Sequence, residues 1–131
     1  MDAYRQQAVL YQALAHPVRL RILDILARQE ACVCHLTAVL HKPQPYVSQQ
    51  LSMLRDANLV TDRREGTLIY YHLADDHLVR LIEEGKTLVR DLAGANLSFP
   101  VVPESAVDNC PCPRCQSEVR LLGDQALAAR A

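Results

Sequence analysis

Pro45-Tyr46-Val47-Ser48-Gln49-Gln50-Leu51-Ser52-Met53-Leu54-Arg55-Asp56-Ala57-Asn58 places Val47, Leu51 and Leu54 at helical spacing. Pro45 suits a first helical turn, and Asn58 tolerates the left-handed conformation that ends a helix. The other face of this helix carries Tyr46, Ser48, Gln49, Gln50 and Arg55, side chains able to hydrogen-bond to base edges and phosphates. A shorter apolar helix precedes it, built on Leu36, Val39 and Leu40 and closed by His41-Lys42-Pro43. Two helices joined by a short turn, the second with an exposed polar face, predict a helix-turn-helix that reads double-stranded DNA.

The residues on either side extend this unit. Leu59 to Arg64 and Thr67 to Leu73 are β-rich runs about Glu65-Gly66, which predicts a hairpin wing with Arg63 and Arg64 at its tip, placed to reach phosphates. Upstream, Pro17 opens a helix in which Val18, Leu20, Ile22, Leu23, Ile25 and Leu26 are apolar on nearly all sides, so it belongs in the core. A first helix from Asp2 to Ala15 has one apolar face, with Val9, Leu10 and Leu14. A fifth runs from Asp75 to about Ala93, with Leu78, Leu81, Ile82, Leu88, Val89 and Leu92 on its apolar side, more than one small core needs. The first and fifth helices are therefore the expected dimer interface. The fold class is mainly α with a β-hairpin wing.

Directly ahead of the helix-turn-helix lies Glu30-Ala31-Cys32-Val33-Cys34-His35-Leu36. A free thiol has a pKa of roughly 8.5, and a helix N-terminus or a nearby cation lowers it, so a metal displaces the proton at neutral pH. Side chains two apart on a regular helix point to nearly opposite faces. For both sulfurs to reach one ion, Cys32 must sit at or before the first turn and Cys34 just inside it. The alternative is that both are small buried hydrophobes.

At 131 residues, half of them apolar, the chain is the size of one ordinary domain. We divide it into a DNA-binding and dimerisation domain (1–94), a linker with Pro100 and Pro103 (95–109), and a cysteine-containing tail (110–131). The tail holds Cys110-Pro111-Cys112-Pro113-Arg114-Cys115, whose prolines forbid a regular helix and leave three thiols free to converge. Net charge is −1, so any basic surface is local: Lys42, Arg55, Arg63 and Arg64 against Asp56 and Asp62 give +2 between His41 and Arg64. The first residues lack a secretory core and no apolar run reaches about 18 residues, which predicts a cytoplasmic protein without a membrane partner. Five cysteines in a reducing compartment read as metal-binding or redox groups rather than a disulfide framework.

Four motifs in this order resemble the ArsR/SmtB family of winged-helix metal-sensing repressors, over roughly Leu10 to Leu92. They are Ala13-Leu14-Ala15-His16-Pro17-Val18-Arg19-Leu20-Arg21-Ile22-Leu23, Cys32-Val33-Cys34-His35-Leu36, Gln44-Pro45-Tyr46-Val47-Ser48-Gln49-Gln50-Leu51, and Arg63-Arg64-Glu65-Gly66 followed by Tyr70-Tyr71. The resemblance implies a homodimer that binds a palindromic operator and releases it when metal binds. Two departures matter. Arsenite-sensing relatives carry a third cysteine three residues after the second, where this chain has Thr37. Zinc-sensing relatives take ligands from both ends of the fifth helix; Asp75, His77 and Asp91 match, but Leu88 stands where a second histidine is needed.

The expectation is a repressor whose inducer is a soft metal or metalloid ion held by Cys32, Cys34 and tail cysteines among Cys110, Cys112 and Cys115, with no organic cofactor. Thiolates select cadmium, lead, zinc, arsenite or antimonite over hard cations. Four sulfurs would suit cadmium, lead or zinc, and three would suit arsenite or antimonite. A second possibility keeps the fold but makes the signal a thiol–disulfide change. A third, a thiol reductase with His35 as acid–base partner, lacks the two-residue spacer of a thioredoxin-like motif.

Overall fold

The structure, a computed structural model, describes residues 2–94 and 96–100. The chain forms α1 (Ala3–Leu14), α2 (Pro17–Arg28), β1 (Ala31–Cys32), α3 (Val33–Leu40), α4 (Gln44–Asp56), β2 (Val60–Glu65), β3 (Leu68–Leu73) and α5 (His77–Ala93). The linker beyond Pro100 and the tail with Cys110, Cys112 and Cys115 lie outside the described residues.

Local chemistry sets the boundaries. Asp2 caps α1 by accepting from Tyr4 N, and His16 caps α2 through Nδ1, which accepts from Val18 N at 3.1 Å. Pro17 follows at the start of α2, where its missing N–H costs nothing. Asn58 takes φ 61° after α4, as its residue type predicts. His41 takes φ 54° after α3, which lets the chain turn sharply into α4.

Ile22, Leu23, Ile25 and Leu26 of α2, Leu36, Val39 and Leu40 of α3, Val47, Leu51 and Leu54 of α4, Tyr71 of β3, and Leu78 and Ile82 of α5 form one buried core. Burial of each such side chain is worth about 1.5–3 kcal/mol, so packing rather than helix propensity fixes how α3 and α4 cross. Leu20 departs from the expectation of an all-buried α2. It is 38% exposed, because it faces a cleft of about 520 Å³ between α1, α2 and α5.

The sheet is antiparallel, in the order β1-β3-β2. The hairpin turns at Gly66-Thr67, one residue later than expected, with Gly66 at φ +62°. The two-residue strand β1 was not anticipated, since so short an element has no periodicity to read. Its pairing, Ala31 with Tyr71 and Cys32 with Tyr70, joins the cysteine segment to the wing.

Candidate DNA interface and thiol site

On α4 the buried side is Val47, Gln50, Leu51 and Leu54. Gln49 and Arg55 are exposed, and Tyr46 and Ser48 half-buried. Tyr46 Oη lies 3.5 Å from His16 Nε2, which steadies its ring beside the start of α2. Arg55 Nη1 donates to Asp62 Oδ2 at 3.1 Å, tying the end of α4 to the first strand of the wing. Gln50 departs from the expected exposed face. It is 5% exposed, and its Oε1 accepts from Arg19 Nη1 at 3.0 Å. Exposed Ser52, which follows Ser48 and Gln49 at i+4 and i+3, shares their face.

Arg63 and Arg64 were expected together at the wing's tip. Instead they alternate across β2, Arg63 opposite Tyr70 and Arg64 opposite Ile69. The guanidinium of Arg63 lies 4.9 Å from the Tyr70 ring centroid. Its Nε and Nη2 donate to the two carboxylate oxygens of Glu30, and Nη1 donates to Glu65 at 2.8 Å. Those carboxylates, Glu30 foremost, raise its pKa above the ordinary arginine value.

The cysteine pair converges as its position requires. Cys32 is extended, at φ −80° and ψ 163°, and caps α3, its sulfur accepting from His35 N, while Cys34 is the second helical residue. This break from helical geometry brings the two side chains to one side, with the Cα atoms 5.4 Å apart and the sulfurs joined as a disulfide. Cys32 packs with Tyr70, and Cys34, Ala38 and Leu68 surround them. Once reduced, two thiolates at a helix N-terminus are a partial donor set for a soft ion. Among the described residues no third His, Cys, Asp or Glu completes a metal-holding group.

At the start of α5, Asp75 Oδ1 accepts from His77 N at 2.8 Å and sits 2.8 Å from His77 Nδ1. The backbone N–H first, then the ring, hold its carboxyl below the usual aspartate value. This is a local turn on an exposed surface. Asp91 is also exposed, and Leu88 stands 58% exposed on the same helix.

A family model described as "Bacterial regulatory protein, arsR family" matches residues 16–62, from the cap of α2 to the first strand of the wing. The chain is 39% identical over 84 residues to the arsenical resistance operon repressor of Bacillus subtilis, covering 63% of this chain and 80% of the relative. This chain belongs to the arsR family. This arsR-family chain is also 46% identical over 84 residues to the SmtB repressor homolog of a Synechocystis strain, a match spanning 64% of each chain. In structure it is similar to the homodimeric winged helix-turn-helix DNA-binding domain Mb0332 from Mycobacterium bovis, itself a possible ArsR-family regulator. That likeness has a TM-score of 0.65 at 30% identity and covers 74% of this chain and 90% of that one. The fold is thus a winged helix-turn-helix, and both fold and relatives are those of DNA-binding regulators.

Proposed function

We propose that this arsR-family regulator is a homodimeric repressor that leaves its palindromic operator when a soft metal or metalloid ion binds Cys32 and Cys34. The carrying observation is where the two sulfurs meet: at the N-terminus of α3, the first helix of the helix-turn-helix, on a strand paired with the wing. An ion there pulls on both DNA-contacting elements. Tyr46, Ser48, Gln49 and Arg55, with Arg63 and Arg64, are the proposed contacts, and Gln50 serves from behind.

The exposed apolar side chains support dimerisation through α1 and α5. Tyr4, Val9 and Tyr11 on α1 and Leu88, Val89 and Leu92 on α5 are all more than two-fifths exposed, and α1 has no fully buried residue. Two subunits related by a two-fold axis would present two reading helices to successive major grooves. No helix among the described residues is long and apolar enough to cross a membrane, and we assign the protein to the cytoplasm.

Two thiolates do not fill the coordination of cadmium, lead or zinc, nor of a three-coordinate metalloid. We assign the remaining sulfurs to Cys110, Cys112 and Cys115, most simply from the other subunit. Asp75, His77 and Asp91 form at best a weaker second site. Cutting the chain after Phe99 tests the tail: operator binding should persist, and release by the ion should be lost. A truncated protein that responds at the same ion concentration would remove the tail from the site.

The disulfide favours a second reading, a redox switch of the same fold. There two thiols give up two protons and two electrons to a peroxide, which leaves as two molecules of water. A reducing cytoplasm keeps such a pair as thiols, which favours the metal reading. Release by hydrogen peroxide in metal-free buffer, with no release by any thiophilic ion, would reverse the order.

A further inference from the structure

Cys32, Tyr70 and Arg63 form one row across the sheet, since Tyr70 is the direct cross-strand partner of both. Directly opposed residues on neighbouring strands share a face, and their side chains touch. Tyr70 packs on Cys32 and carries the guanidinium of Arg63 over its ring. The row closes on itself, because Arg63 grips both carboxylate oxygens of Glu30, two residues before Cys32. Thus the wing's arginine is held by the same short segment that holds the thiols.

We infer that Glu30 and Arg63 are the link between thiol pair and wing, with Arg63 exchanging the Glu30 carboxylate for a DNA phosphate according to whether the pair is closed. This rests on the thiol pair being the sensor. The physical reason is competition between two anions for one fork. An arginine whose Nε–Nη2 edge is bidentate to one carboxylate, with Nη1 on Glu65, cannot offer that same edge to a phosphate. Arg63 is nevertheless 46% exposed, so DNA can reach it once Glu30 lets go.

What decides between the two partners is how firmly Glu30 is placed. Strand β1 is two residues long and is anchored by Cys32, whose backbone pairs with Tyr70 and whose sulfur caps α3. When both sulfurs are drawn together, the position of Cys32 is fixed from two sides, and Glu30 and Tyr70 are presented to Arg63 as a formed site. With the pair open, that site loosens and the phosphate wins. A ligand shifts such an equilibrium only through its different affinity for the two states, and here the difference lies in the placement of β1. Glu30 is accordingly a positioning residue, and Arg63 carries the effect to DNA.

The test uses the full chain with its cysteines fully reduced, a duplex selected by the protein from a random pool, and Cd(II) as the ion. Operator affinity is measured against salt, with and without Cd(II), while thiolate-to-cadmium absorbance follows ion binding. In the wild type, Cd(II) should weaken DNA binding within the usual roughly 5- to 150-fold range of coupling. It should also flatten the salt dependence by about one unit, the loss of one phosphate contact. Glu30→Gln should keep the absorbance titration and the ion-free affinity, yet show the same salt slope with and without Cd(II) and a smaller release. Arg63→Ala should start with the flatter slope and not change it. If Glu30→Gln releases DNA by the wild-type factor and with the wild-type change of slope, the link is wrong while the thiol sensor stands. If Glu30→Gln loses the cadmium absorbance, Glu30 acts at the ion and not on the wing, which also overturns the link. Absence of both absorbance and release in the wild type would sink the sensor and the link together.

Discussion

Arg19 on α2 reaches Gln50 on the buried side of α4, Nη1 to Oε1 at 3.0 Å, while its Nε and Nη2 donate to the carbonyls of Ala13 and Gln12 at the end of α1. One guanidinium therefore joins α1, α2 and the reading helix. Its charge also lies at the C-terminus of α1, where the helix dipole favours a cation. Replacing Gln50 by Leu should leave Arg19 Nη1 with Met53 Sδ alone, at 3.5 Å, and cost about 1–3 kcal/mol in urea unfolding. Base preference should not change, since Gln50 faces inward; a changed selected sequence would return Gln50 to the DNA surface.

On the outward side the expectation is opposite. Gln49→Ala should alter which sequence is selected. Arg64→Ala should weaken all sequences about equally and flatten the salt dependence by about one unit. Retention of the full slope in Arg64→Ala would take that residue off the phosphates.

A charge placed on the exposed apolar part of α5 should separate the subunits. Leu88→Glu is expected to sediment as a monomer at micromolar concentration and to lose high-affinity operator binding. Because Leu88 is 58% exposed, the fold itself should survive, with an unchanged far-ultraviolet spectrum. A dimeric Leu88→Glu would move the interface elsewhere.

Lys86 on α5 pairs with Asp24 on α2 at 2.8 Å and with Glu83 at 3.0 Å, its side chain 15% exposed. Burial alone would lower its pKa, but the two carboxylates outweigh it and raise the value above 10.5. A raised pKa means that the pair's stabilisation is complete at neutral pH and is lost only as pH climbs through the folded value. Asp24→Asn should cost about 1.5–3 kcal/mol at pH 7 and much less in strongly alkaline solution, as read from urea midpoints. An equal cost at both pH values would contradict this.

Much of this architecture was legible in residue spacing. Val47, Leu51 and Leu54 mark the buried side of α4, Asn58 its end, and the run of exposed apolar residues on α5 a surface wanting a partner. Helix geometry allowed Cys32 and Cys34 to meet only with Cys32 ahead of the regular helix, and Cys32 is the cap of α3. Gln50 is polar in type, but its position outweighs its polarity. At i+3 from Val47 and i−4 from Leu54 it falls on the core face, and only a partner 31 positions away makes its burial tolerable. The Glu30–Arg63 contact joins residues 33 apart through a register no local pattern encodes. Strand β1 likewise exists only through its non-local pairing with β3.

The most direct measurement titrates Cd(II) into the full chain bound to a fluorescent selected duplex, following anisotropy and thiolate-to-cadmium absorbance in one cuvette, for the wild type and for Cys32→Ser with Cys34→Ser. The account predicts that wild-type release follows the growth of the absorbance, and that the double variant holds DNA normally but does not let go. Release of the double variant at the wild-type ion concentration would show that the sensor lies elsewhere and that the two cysteines ahead of α3 only pack.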